Sequence, residues 1–222
     1  MNLLSIDTIA FTFLGYPMSY LELVGTVLYL WSVWLIARRN ILTWPIGIVS
    51  VLLYLLLFYQ IQLYADAIEQ VYYLAASFYG WWYWQRSVSE SGKTAGMRFS
   101  SREKILKTLG LTLVLSLLTG WLIGNIHNIL PRLFPEPASF PFLDALTTVM
   151  SFVAMWLMAR KRTESWFYWI IVNVIGIGLY YVKDVRLVSL LYVILLGLAF
   201  RGLHEWRRSE AQALEVAASG PA

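Results

Sequence analysis

Trp166, Trp169 and Asn173 follow one another at steps of three and four residues, the spacing that holds side chains on one face of a helix. Two indoles beside an amide suit a flat, preferably cationic heteroaromatic ring. The π surfaces supply stacking or cation–π contact, and the amide supplies paired hydrogen bonds to a polar substituent. Asn173 falls about 10 Å along the axis from Trp166. Gln70, Tyr73 and Ser77 have the same spacing and offer amide and hydroxyl partners to a sugar. Tyr54, Tyr192 and Ser116 complete the polar groups of the apolar segments. Hydrolysis or group transfer needs a nucleophile, a base or a metal set. The chain has no cysteine and 2 histidines, and His127 and His204 stand in a loop and near a segment end. An enzyme, a metal site and a bound cofactor are therefore not expected.

The elements that position these residues are membrane spans. Of 222 residues, 59% are hydrophobic and 14% charged, a composition that requires lipid bilayer as partner. The net charge of +4 is spread over short clusters at the ends of apolar runs, which read as topology signals and not as a nucleic-acid surface. Spans are predicted at 18–37, 41–60, 64–85, 105–125, 141–159, 165–182 and 185–205. Ser19 with Glu22 resembles a capping box, and Thr43 and Ser165 are expected to cap the second and sixth helices. Pro45 fits a first turn, where its missing N–H is not needed. Residues 2–16 are apolar but short and are read as an interfacial helix; no cleavable signal peptide is evident.

Basic residues collect after the odd-numbered spans: Arg38 and Arg39, then Arg86 to Lys107, then Arg160 to Arg162, then Arg207 and Arg208. The positive-inside rule puts the N-terminus outside and the C-terminus in the cytoplasm.

Residues 20–86 and 142–208 align without a gap at an offset of 122, with 17 identities in 67 positions. Trp34/Trp156, Arg38/Arg160, Trp44/Trp166, Gly80/Gly202 and Trp84/Trp206 are among them, and a duplicated unit explains them. Three spans plus one return the chain to its starting side. The fold expected is therefore an all-α integral membrane protein of seven transmembrane helices, two parallel three-helix repeats joined by a linker helix. The parts are an N-terminal interfacial segment (1–17), a first repeat (18–86), a cytoplasmic linker, linker helix and outer loop (87–140), a second repeat (141–208) and a disordered tail (209–222).

Repeat-built transporters bind substrate near the midplane between their repeats. Unpaired polar groups there cost on the order of several kcal/mol, so the mid-span set is the candidate site. Each member has a plainer role open to it: Trp166 and Trp169 in an aromatic belt, Asn173 and Gln70 in interhelical hydrogen bonds, the tyrosines in packing. No chain of titratable groups crosses the bilayer, which favours facilitated diffusion over proton-coupled pumping. A membrane scaffold or sensor is the competing non-enzymatic reading. Rocking as rigid halves and rocking on hinges near Pro45, Gly176 and Gly178 are both open to such a chain.

The Trp166-x-x-Trp169-x-x-x-Asn173 motif with Tyr180-Tyr181, and the run Gln70-x-x-Tyr73 leading to Tyr79-Gly80-Trp81-Trp82-Tyr83-Trp84, resemble the PnuC-type vitamin transporters over about residues 18–208. The resemblance implies a carrier for nicotinamide riboside in the bacterial inner membrane, with a 3+1+3 fold similar to SWEET-type sugar transporters. It implies facilitated diffusion followed by trapping through cytoplasmic phosphorylation. Trp166, Trp169 and Asn173 would hold the nicotinamide end, and Gln70 and its neighbours would line the pocket. A homo-oligomer such as a trimer is a further implication. Relatives of this type carry thiamine or riboflavin, and thiamine is also a cationic aromatic; the short amide of Asn173 matches a carboxamide and favours the riboside.

Overall fold

A computed structural model describes residues 2–13, 15–91, 96–132 and 136–218. Lys93 of the expected linker and Pro135 of the expected outer loop lie outside them. The chain begins with a hairpin of β1 (Ile9–Phe13) and β2 (Tyr16–Ser19). Seven helices follow: α1 (Tyr20–Ala37), α2 (Thr43–Gln60), α3 (Tyr64–Ser91), α4 (Arg102–Ile129), α5 (Pro141–Ala159), α6 (Ser165–Val182) and α7 (Arg186–Ala218). Among the described residues six are long and apolar enough to cross a membrane and α3 is not among them, since Asp66, Glu69 and Gln70 near its start and the tyrosines and tryptophans along the rest keep its mean hydropathy low.

Two expectations fail at the chain ends. Residues 9–19 form an antiparallel hairpin where an interfacial helix was expected. Gly15 takes a positive φ of 82° at the turn, and the flanking aromatic and β-branched residues suit strands better than helix. The disordered tail expected from residue 209 is helical as far as Ala218. Ala, Glu, Gln and Leu are strong helix formers, and extending an existing helix avoids the cost of nucleation. The Arg39 guanidinium also donates to Ser209. Residues 219–222 lie outside the described set. The linker expected to be flexible is anchored in part: Met97 is buried, and the Thr163 N–H donates to the Arg98 carbonyl at 3.1 Å.

Capping also departs from expectation. The Ser19 hydroxyl accepts from the Glu22 N–H at 3.1 Å, but neither Thr43 nor Ser165 caps its helix. Thr43 donates instead to the Ser32 carbonyl at 2.8 Å, because a hydroxyl inside apolar packing gains more from a buried acceptor than from a solvated helix start.

The described residues form two compact units. One comprises residues up to 96 together with 159–161 and 204 onward, and the other residues 97–158 and 162–203. In the first unit α2 packs on α1 and α3, and Ser50 donates to the Gly25 carbonyl at 2.9 Å. In the second, Met150, Ala154, Leu157, Tyr168 and Val172 form a buried cluster joining α5 to α6.

Local geometry recurs at the sequence offset. Helices α2 and α6 have 18 residues each, displaced by 122 positions. Arg39 and Lys161, and likewise Gln62 and Asp184, are pairs of offset 122 with positive φ of 59–62°. A non-glycine residue in that region is uncommon, so its recurrence marks one loop geometry used twice.

Candidate functional site

The indole of Trp166 is buried, with 1% of its surface exposed. It lies so close over Gly202 that a Cβ there would approach its ring within 2.3 Å. Trp44 stands over Gly80 in the same way, also at 2.3 Å. A large ring can enter a helix interface only where the facing residue lacks a side chain. Trp166 thus shares a packing arrangement with its counterpart, whereas Trp169, one turn further on, is half-buried against the α5–α6 cluster. Its counterpart is Gly47.

Asn173 follows on α6, 3% exposed, next to Val172 of the same cluster. Tyr192, on α7, packs against that cluster too. Its ring occupies the space of a missing side chain at Gly176, where a Cβ would meet it at 2.5 Å, and it stacks on Tyr180 with centroids 5.4 Å apart. Gly176, one of the two glycines where a hinge was open, is thus a point of close helix contact, while nothing lies within 4 Å of a Cβ at Gly178. The second unit brings Trp169 and Tyr192 to one cluster and places Asn173 beside it.

Tyr54, Gln70, Tyr73 and Ser77 belong to the first unit. Tyr54 shares a hydrogen bond of 2.7 Å with Thr26, meets Tyr29 edge-on at 6.3 Å and stacks on Phe58 at 5.7 Å. Gln70 and Tyr73 are half-buried on α3, with Tyr73 edge-on to Tyr72 at 5.6 Å; Ser77 is buried. A groove of about 240 Å³ opens further along α3 between Phe78, Trp81, Trp82 and Gln85, and none of the predicted residues lines it. Among the described residues no group of acidic, histidine or cysteine side chains could hold a metal.

One feature escaped sequence reasoning. The Trp84 indole N–H donates to the Ala159 carbonyl at 3.1 Å, and the Trp206 N–H donates to the Ile36 carbonyl at 2.9 Å. Each tryptophan of one repeat thus donates to a carbonyl at the C-terminal end of the other repeat's first helix, and the Ile36 carbonyl accepts from the Arg39 N–H at 2.9 Å as well. Trp84 touches Trp44 at 5.5 Å and Trp206 at 6.1 Å. Lys161 stands 5.2 Å over Trp84, and burial lowers its ammonium pKa to about 8. The aligned identities were visible in the sequence, but not that they touch.

Residues 19–208 match the family described as nicotinamide mononucleotide transporter. The chain belongs to that family. It is therefore a multi-pass membrane transporter and not an enzyme. The nicotinamide riboside transporter PnuC of Escherichia coli is 34% identical over 210 residues, 88% of each chain. The riboflavin/roseoflavin transporter RibM of Streptomyces davaonensis is 28% identical over 94% of this chain and 96% of its own. A crystal structure of the vitamin B3 transporter PnuC superposes with a TM-score of 0.65 at 23% identity, covering 87% of this chain and 83% of that one. That likeness establishes a shared fold.

Proposed function

We propose that this transporter imports nicotinamide riboside by facilitated diffusion, through a midplane site between two parallel three-helix repeats. The observation that carries the reading is the departure of α6 from its own copy. In a helix otherwise repeated from α2, Gly47 and Val51 are replaced by Trp169 and Asn173, a ring and an amide two turns of spacing apart in total from Trp166. Trp166 serves this reading as the packed base of the motif, and Gln70, Tyr73, Ser77, Tyr54 and Tyr192 as partners for ribose and ring edge.

The family description names a mononucleotide and the Escherichia coli relative a riboside. None of the eight candidate residues is Lys or Arg, and a phosphate dianion taken out of water calls for such a partner. The candidate set therefore suits the nucleoside. Clustered basic residues support a cytoplasmic C-terminus and an outer N-terminus in a bacterial inner membrane, and family resemblance supports a homo-oligomer such as a trimer. The 1–17, 18–86, 87–140, 141–208 and 209–222 divisions follow the repeat, with the first and last revised to hairpin and helix. RibM favours a second reading, in which riboflavin or another ring vitamin such as thiamine is carried.

A thermal-shift panel of nicotinamide riboside, its 5′-phosphate, thiamine and riboflavin tests the choice, because a ligand bound only by the folded chain raises the transition temperature. Stabilisation by the riboside alone is expected; stabilisation by riboflavin and not the riboside overturns it. Asn173→Ala should weaken riboside binding by about 1–3 kcal/mol, and unchanged affinity removes Asn173 from the site. In sealed vesicles the riboside should reach the outside concentration and stop; accumulation beyond it excludes passive transport.

A further inference from the structure

Glu22 and Asp144 are counterparts in the repeat, each in the first turn of its helix. A carboxylate there is favoured by the helix dipole, so both have a common structural reason to be acidic. Their surroundings differ. Asp144 is matched by a cation, Lys183, whose ammonium is 3.6 Å away. The position that corresponds to Lys183 in the first repeat is Ile61. Among the described residues no Lys or Arg forms an ion pair with Glu22.

In place of a cation, Glu22 has a hydroxyl and aromatic rings. Tyr16 of the hairpin reaches both carboxylate oxygens at 3.0 Å, orienting the group without neutralising it. Burial, with Glu22 adding to it, pushes the Tyr16 hydroxyl pKa up to about 12, so it stays a donor. One turn along α1, Thr26 binds Tyr54 at 2.7 Å, and residues four apart on a helix are neighbours, about 5–6 Å between Cβ atoms. Tyr29 and Phe58 flank the Tyr54 ring. In the second repeat Tyr54 corresponds to Gly176, and the ring there is Tyr192 from α7, stacked on Tyr180; the acid of that repeat is already matched by Lys183. An oriented, uncompensated carboxylate beside π faces is the pairing that attracts an organic cation delocalised over a flat ring.

We propose that Glu22, held by Tyr16 and backed by Tyr54, is a charge-selecting subsite at the hairpin end of the first unit, where it captures the pyridinium cation of the substrate before it moves to the tryptophan and asparagine face. The inference rests on the riboside reading above. It is tested on the full-length protein with two ligands of nearly the same shape, cationic nicotinamide riboside and its neutral dihydro form.

Glu22→Gln should weaken the cation by about five- to tenfold at low salt and the neutral form by less than about twofold, with the difference shrinking as salt screens the charge. Glu22→Asp should recover part of the cation's affinity, and Tyr16→Phe should lower the preference in the same direction but less. Equal weakening of both ligands, or of neither, overturns the proposal. Wild-type protein that binds the riboside while Glu22→Gln leaves the preference intact overturns this inference alone; wild-type protein that binds neither form overturns the substrate reading with it.

Discussion

The two three-helix segments use the same scaffold and fill it differently. At one end of each, a tryptophan is set over a glycine: Trp44 over Gly80 and Trp166 over Gly202. Deeper in the helices the symmetry gives way. The first segment takes its ring from α2 as Tyr54 and carries the amide Gln70 on α3, whereas the second opens α6 at Gly176 to admit the Tyr192 ring from α7. The aromatic group has moved from one helix to the next between copies. Packing that both copies need is kept, and the parts that would face an asymmetric solute are free to diverge.

The largest expected effect tests the kept part. Gly80→Ala and Gly202→Ala each force a methyl into an indole, an overpacking that costs about 1–3 kcal/mol or more. Melting in detergent should show the two variants destabilised alike; a benign Gly202→Ala beside a crippling Gly80→Ala would mean that the copies are not equivalent scaffolds. The divergent part is tested next. Trp169→Ala should weaken riboside binding by about 2 kcal/mol, through lost stacking and cation–π contact, with a smaller change in melting than Trp166→Ala. The reverse order, with affinity resting on Trp166 and stability on Trp169, would exchange their roles.

A finer comparison concerns the crossed indole bonds. Trp84→Phe removes the indole donor from the Ala159 carbonyl at a cost of about 1 kcal/mol, whereas after Trp206→Phe the Ile36 carbonyl keeps the Arg39 N–H at 2.9 Å. The larger loss in melting is expected for Trp84→Phe, and a larger loss for Trp206→Phe would overturn that order.

The smallest effect is one of pH. The Lys161 pKa is lowered from 10.5 to about 8 by burial, so at neutral pH the folded chain carries a charge that burial disfavours. As pH rises through about 8 the folded state releases that proton while the unfolded state keeps its own up to about 10.5. The unfolded chain then binds more protons, and stability rises with pH across this window. Lys161→Met should melt above wild type at pH 7, with the gap closing toward pH 10. A gap independent of pH would assign the effect to packing.

Much of this was legible in the sequence, for physical reasons. Apolar runs of about 20 residues leave little choice but helix, and α5 and α6 have the predicted bounds. The N-terminal segment was misread because its apolar residues suit either a short helix or a hairpin, and only Gly15 marks the turn. Helical spacing put Trp166, Trp169 and Asn173 on one face, but spacing is blind to what stands opposite. It could not show that Trp166 is enclosed by Gly202 while Trp169 is left half-buried. The difference was encoded all the same: Trp44 and Gly80 are retained with Trp166 and Gly202, and Trp169 has no aromatic counterpart.

The crossed bonds, Trp84 to Ala159 and Trp206 to Ile36, come within one residue of an isologous contact, in which residue i of one copy meets j of the other and j meets i: the donors are counterparts, and Ala159 corresponds to Ala37, the neighbour of Ile36. Two separate half-length chains, each bringing one indole and one helix-end carbonyl, could make a symmetric version of this pair as a homodimer. Helix α4 would then be a tether, raising the effective concentration of a contact that two free copies could form by collision, and the fused gene would be what let one half change its pocket without changing the other.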